Sequence, residues 1–379
     1  MARPSPAAEA GLGASRLPID EVTPMPGPSR FACIVGAPRC GTTTLAGFLQ
    51  EHPDVCFSSV KEPHFFSQHD LTGLPVAALR RAVNDHYLAR FFPNRSEHHA
   101  LMAEGSISYL YAPEQMTPIL RLWPDARFII AVRDPLEMLP SVHRRLLYTG
   151  DETVTDFDRA WALSAERAQG RRIPGSCIDP RFLQYEEVAR LGTYVERFMN
   201  VVGRERCLVV VFDDLASDPA SVYQRLLGFL DLPPHERADF AARRESFAVR
   251  SGTLQRLLKR PPVVTRALLA GEKFRERVKP LNRHKPDSPL VRAIFNGRKK
   301  LLAWNRYAPP PTRLSAPLRR EISEKLAGEV WRLSHLLGRD LSHWLDGQVS
   351  VLPARHIQAA APEPQAARAR RTAPVQVQA

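Results

Sequence analysis

Residues 31–50, FACIVGAPRCGTTTLAGFLQ, constrain this chain more than any other stretch. An apolar run from Phe31 to Val35 ends at Gly36, and the turn Gly36-Ala37-Pro38-Arg39-Cys40-Gly41 follows. Thr42-Thr43-Thr44 then opens an amphipathic stretch through Leu45, Phe48 and Leu49. A strand, a glycine-bounded turn and a hydroxyl-rich helix start aim backbone N–H groups at a phosphate. The two glycines let the backbone approach closely, the threonines add hydroxyl donors, and Arg39 supplies charge. The spacing G-x-x-x-x-G-T-T nearly matches the nucleotide-binding pattern G-x-x-x-x-G-K-[ST], with Thr42 standing where lysine belongs. A kinase or ATPase uses that lysine on its β- and γ-phosphates, so its loss argues against a triphosphate ligand. The competing reading is an ordinary βα turn.

Short apolar runs recur downstream at 54–58, 100–104, 127–132 and 207–212. Their length and continuity suit buried parallel strands. Helical patterns lie between and after them, at about 42–51, 76–92, 113–123, 135–149, 154–169, 180–202, 217–230 and 316–337. The alternation predicts an α/β domain with a central parallel sheet flanked by helices. Residues 1–28 and 353–379, rich in Pro, Ala, Gly or Gln, read as disordered tails around a domain spanning 29–352.

Two further motifs fall at predicted strand ends, where open α/β sheets bind ligands. Lys61-Glu62-Pro63-His64-Phe65-Phe66 follows the second strand, and a carboxylate at Glu62 would accept a proton from an attacking hydroxyl or amine. The plainer reading pairs Lys61 with Glu62 on the surface, with His64 capping a loop. Phe128-Ile129-Ile130-Ala131-Val132-Arg133-Asp134-Pro135 ends the fourth strand, and Ser141 lies about two helical turns on. An arginine fork there matches phosphate geometry; the alternative is an Arg133–Asp134 pair and a surface hydroxyl.

Taken together, these motifs resemble the sulfotransferase family. Pro38-Arg39-Cys40-Gly41-Thr42-Thr43 is similar to its phosphosulfate loop P-K-S-G-T-T, with Arg39 for lysine and Cys40 for serine. Arg133, Pro135 and Ser141 match part of R-N-P-x-x-R-A-x-S, with Asp134 for asparagine, Met138 for the second arginine and Arg145 nearby. Glu104-Gly105-Ser106-Ile107-Ser108-Tyr109-Leu110-Tyr111 resembles G-E-x-S-P-S-Y-L-Y without its proline. Arg250-Ser251-Gly252 is a loose match to a segment that approaches the cofactor. The resemblance covers about residues 30–255 plus the C-terminal helix. It implies a P-loop NTPase-like three-layer fold and the donor 3'-phosphoadenosine-5'-phosphosulfate (PAPS), which has no γ-phosphate. Arg39, Cys40, Gly41, Thr42, Thr43 and Thr44 would hold its 5' end, and Arg133, Ser141 and Arg250 the rest. Glu62 would be the base, with Arg39 assisting the transfer and His64 in reserve; no metal is expected. The Glu62 motif leans towards a carbohydrate or glycolipid acceptor.

The net charge of +13 is concentrated. Residues 243–300 hold seventeen Lys or Arg against four Asp or Glu, so the remainder sums to zero. That density calls for an anionic partner or a solvated basic face. Contact with a lipid surface through Leu254–Leu269 is one expectation; no nucleic-acid-binding motif accompanies the charge. A small-molecule kinase and a non-catalytic nucleotide- or lipid-binding protein are the alternative functions. No apolar run approaches the roughly 20 residues that span a bilayer and the N-terminus lacks a basic-then-apolar signal, so neither secretion nor a membrane anchor is expected. The five cysteines, scattered without CxxC spacing, predict a reducing cytoplasm. Arginine outnumbers lysine 45 to 8, as in GC-rich bacterial genomes.

Overall fold

A computed structural model describes residues 25, 27–237, 239–240, 247–259, 289–307 and 314–346. Five strands form one sheet: β1 (Phe31–Gly36), β2 (Val55–Phe57), β3 (Leu101–Gly105), β4 (Arg127–Val132) and β5 (Cys207–Val211). Their order is β2-β3-β1-β4-β5 and every pairing is parallel. All five fall on the predicted runs. β1 lies at the centre with all six residues buried, as an uninterrupted apolar run requires. From β1 the chain runs to the edge strand β2, returns to β3 between β2 and β1, then crosses to β4 and β5 on the other side. The switch point is therefore at the carboxyl end of β1, where ligands bind in sheets of this kind.

The helices that matter for the site are α1 (Thr42–Glu51), α2 (Pro135–Thr149), α3 (Leu191–Val202), α4 (Pro219–Phe229), α5 (Gly252–Lys259), α6 (Pro289–Trp304) and α7 (Ala316–Leu337). α2 starts where Asp134 caps it, its carboxylate accepting the Leu136 N–H at 2.8 Å with Pro135 in the first turn, and stops at Gly150 in the left-handed region. α7 is capped by Ser315 and ended by Gly338, as its punctuation predicts. It packs on α3 so closely that a Cβ on Gly192 would collide with the Glu329 carbonyl. Glu329 in turn accepts the Thr193 N–H and hydroxyl, both at 2.7 Å, placing a carboxylate at the start of α3.

Three predicted helices are interrupted. The 180–202 stretch divides into Pro180–Leu183, Tyr185–Val188 and α3. Turning out of a single helix there lets buried Tyr185 reach Glu152 with its hydroxyl at 2.8 Å. The 154–169 stretch breaks at Leu163, and 217–230 breaks at Asp218-Pro219, where Asp218 caps α4. Two short strands, β6 (Ala248–Val249) in the basic region and β7 (Arg306–Tyr307) just after it, pair antiparallel. The expected tails lie outside the described residues except for residues 25, 27 and 28. Among the described residues no helix is long and apolar enough to cross a membrane.

Candidate active site

Loops following all five strands contribute to one cleft of about 520 Å³. After β1, the turn is tight enough that Arg39 adopts φ 65° and Gly41 φ 90°. The Gly41 carbonyl accepts the Thr44 and Leu45 amides, starting α1 with no side-chain cap. Thr42, Thr43 and Thr44, at the positive end of the α1 dipole, line the cleft. A Cβ on Gly41 would come within 2.5 Å of the Leu215 Cδ2, so only glycine fits this cradle. Cys40 faces the other way: it is fully buried, its thiol donates to the Pro38 carbonyl at 3.4 Å, and burial pushes it up to about 12. Cys40 is not among the residues that line the cleft.

Arg39 and Arg133, predicted separately, meet. The Arg39 Nε donates to Ser141 Oγ at 2.8 Å, and Arg133 Nη1 donates to the Arg39 carbonyl at 3.3 Å. Arg133 is stacked 4.0 Å from the Phe212 ring centroid and paired with Glu137 at 2.6 Å, not with Asp134, which caps α2 instead. Ser141 is buried behind Arg39.

Glu62 enters the same cleft from the turn after β2. Its Oε1 accepts from Lys61 Nζ at 2.9 Å, and the same ammonium reaches Thr42 Oγ1 at 3.4 Å. Burial opposes ionisation of Glu62, but Lys61, then His64 and the Lys61 hydrogen bond, outweigh it and hold the carboxyl down to about 2. Glu62 is thus a carboxylate at neutral pH, linked through one ammonium to the phosphate-type loop. His64 Nε2 stands 3.9 Å from Glu62 Oε2, while its Nδ1 hydrogen-bonds to Ser108 Oγ at 2.7 Å. Its backbone N–H donates to Ser106 Oγ at 2.9 Å, and that hydroxyl donates to buried Glu104 at 2.7 Å. The Lys61–His64 turn is therefore tied to β3 from behind.

Two residues of the site are not among the predicted ones. Lys61 reads from sequence as a surface partner of Glu62, yet it brings a cation to the threonine that replaces the loop lysine. Arg145, noted only as a neighbour of Ser141, lies one turn beyond it on α2, lines the cleft and helps to hold Glu62 charged. The signals were a loop lacking its cation and an i,i+4 spacing from Ser141. Arg250 lies elsewhere. Its guanidinium donates to the carbonyls of Trp304 and Arg306, beyond the residues that line the cleft.

The sequence model of the sulfotransferase family matches residues 32–236, more than half of the chain. Among similar proteins, carbohydrate sulfotransferase 15 of Mus musculus is 24% identical over 249 residues, covering 53% of this chain and 43% of its own. Heparan sulfate glucosamine 3-O-sulfotransferase 3A1 of Mus musculus is 28% identical over 201 residues, covering 53% and 45%. The chain thus spans less than half the length of these two relatives. A crystal structure of a sulfotransferase from Alicyclobacillus acidocaldarius superposes with a TM-score of 0.54 at 22% identity, covering 84% of this chain and 98% of that one, a likeness of fold. With the parallel sheet, the cradle after β1 and a family match over residues 32–236, the chain belongs to the sulfotransferase family.

Proposed function

We propose that this sulfotransferase takes PAPS as donor and transfers the sulfuryl group to a hydroxyl or amine of a carbohydrate or glycolipid acceptor, with Glu62 as general base. One observation carries the reading: a carboxylate and a phosphate-type cradle share a single ammonium, from Glu62 Oε1 through Lys61 Nζ to Thr42 Oγ1, in one cleft. The residues fit the donor. The glycine cradle at Gly41 admits backbone close to an anion, and Arg39, Arg133 and Arg145 bring cations to the cleft. The donor, when bound, supplies a sulfur whose bond to the 5'-phosphate oxygen breaks as the acceptor oxygen or nitrogen bonds to it, the electron pair leaving on adenosine 3',5'-bisphosphate.

Glu62 would take the proton that the acceptor loses. In the free protein Lys61 holds that carboxylate too acidic to be an efficient base. An anion at Thr42 would share the Lys61 charge and let Glu62 rise, so basicity would develop when the donor is in place. Arg39 and the amides at Gly41–Thr43 would stabilise charge on the transferring group and leaving phosphate. The carbohydrate and heparan sulfate relatives support a glycan acceptor, and a cytoplasmic setting is proposed with it, since all five cysteines are free thiols.

The test is Glu62→Gln. It should preserve the fold and the affinity for adenosine 3',5'-bisphosphate while lowering turnover by roughly 10²–10⁴, the usual contribution of a general base. His64→Ala should cost less. Near-normal turnover in Glu62→Gln beside an inactive His64→Ala would make histidine the base, and stronger stabilisation by ATP with magnesium than by the bisphosphate would remove the donor assignment.

A further inference from the structure

Residues 247–259 and 289–307 contain eight Lys or Arg and no Asp or Glu. They fold as one unit around Asn305, which is fully buried. The Asn305 amide donates to the Ser251 carbonyl at 3.0 Å and to Gln255 Oε1 at 3.1 Å, its Oδ1 accepts the Ser251 N–H at 2.8 Å, and its carbonyl accepts the Arg250 N–H at 2.8 Å. Arg298 ties α6 to α5 by donating to the Leu258 carbonyl at 3.0 Å. The unit is anchored to the cleft wall: buried Gln255 donates to the Tyr148 carbonyl of α2 at 2.6 Å, and Lys259 stands 4.8 Å from the Tyr148 ring centroid.

Its outer surface departs from that of an ordinary monomer. Eight large apolar side chains are exposed among the described residues, and four of them, Leu257, Leu301, Trp304 and Tyr307, belong to this unit. Trp304 is 61% exposed. Lys299, Lys300 and Arg306 are exposed beside them. Leu301 and Trp304, three residues apart, share one face of α6; exposed apolar area of this kind marks a contact surface, and its chemistry narrows the partner. Trp and Tyr beside leucines suit the boundary between headgroups and acyl chains, and cations without a single acid suit anionic phosphates at the same depth. A nucleic-acid surface would use its aromatics for base stacking and would have no place for two exposed leucines.

We propose that the α5–α6 face docks peripherally on an anionic lipid bilayer. Because the unit is bonded to α2, docking would hold the cleft wall beside the bilayer surface. The inference is independent of the donor, acceptor and base assigned above.

The full-length protein should float with vesicles containing phosphatidylglycerol and stay unbound with phosphatidylcholine alone. Binding should weaken as salt rises, since exposed charges are screened over about 10 Å at 0.1 M. The double variant Leu301→Ser/Trp304→Ser should retain the wild-type melting temperature and lose affinity for the anionic vesicles by more than about tenfold, given the apolar area withdrawn. Lys299→Glu/Lys300→Glu should also bind anionic vesicles less. Absence of vesicle binding at low salt, equal binding to neutral vesicles, or binding unchanged in both variants would overturn the proposal. A concentration-dependent dimer abolished by Leu301→Ser/Trp304→Ser, with no vesicle binding, would assign the face to a second copy of the chain.

Discussion

Thr42 occupies the lysine position of a nucleotide-binding loop, and Lys61 supplies an ammonium to it from a turn nineteen residues on. That ammonium is also the largest favourable influence on Glu62, so one residue sets both the cation at the cradle and the acidity of the carboxylate. Removing it should separate the two. In Lys61→Met, burial acts on Glu62 with less opposition, and its ionisation moves up from about 2. The acidic limb of kcat/KM, which reports the free enzyme, should therefore shift to higher pH. Affinity for adenosine 3',5'-bisphosphate, measured separately by titration, should fall because a cation is lost. An acidic limb that stays in place would show that Glu62 is not the group whose ionisation governs turnover. The same comparison distinguishes Glu62 from His64, whose ring is fixed by Ser108 and whose N–H is fixed by Ser106.

The loop between β1 and α1 works because its backbone turns where a side chain would not fit. Gly41 has φ 90°, and an added Cβ would meet Leu215 and Phe212 on the helix that follows β5. Gly41→Ala should thus cost both left-handed strain and overpacking, about 2–4 kcal/mol in denaturant unfolding. Gly228→Ala in α4 is the natural comparison: nothing lies within 4 Å of the added atom. It should be neutral or stabilising by up to about 1 kcal/mol, the difference in helix propensity. Equal stabilities for the two variants would mean that the cradle is more pliable than its contacts indicate. The elements around the loop show the same division. Asp134 and Ser315, each with a proline within two residues, cap their helices through local bonds, whereas the break at Gln184 follows from Tyr185 reaching a carboxylate over thirty residues away.

Across the whole molecule, the most exacting feature of the core is Glu104. It is fully buried at the end of β3, accepting from Ser106 and Tyr87, with Tyr109, Cys33 and Lys61 also facing it. Burial raises it from 4.5 to about 7, against those hydrogen bonds and the Lys61 charge. Folding therefore favours the protonated acid. The associated stability is complete below about pH 4.5 and is lost as pH rises through about 7. Glu104→Gln should flatten that part of the pH profile of global stability. Relative to the wild type, the change across the window should approach about 3 kcal/mol, from the size of the shift. Unfolding free energies measured on either side of the window test this; parallel profiles for the two proteins would place the proton elsewhere. Because Glu104 supports the Lys61–His64 turn through Ser106, the core and the cleft are one hydrogen-bonded system.

The five strands, the phosphate-type turn and the order of the motifs were legible along the chain. Those signals are local: apolar runs too short for helices, glycine punctuation, and charged residues at strand ends. The parallel sheet follows from strands alternating with helices, because parallel neighbours need a crossover. Strand order was not legible, since the strands are short, mostly apolar runs and none specifies its neighbour. Only folding brings Arg39, Arg133 and Ser141 together, carries the Lys61 ammonium to Thr42 and turns Cys40 inward. It also placed Arg250 beside Trp304, away from the cleft lining. Each of these depends on distances between segments separated by up to about a hundred residues or on which way a side chain leaves the backbone, and spacing along a chain carries neither.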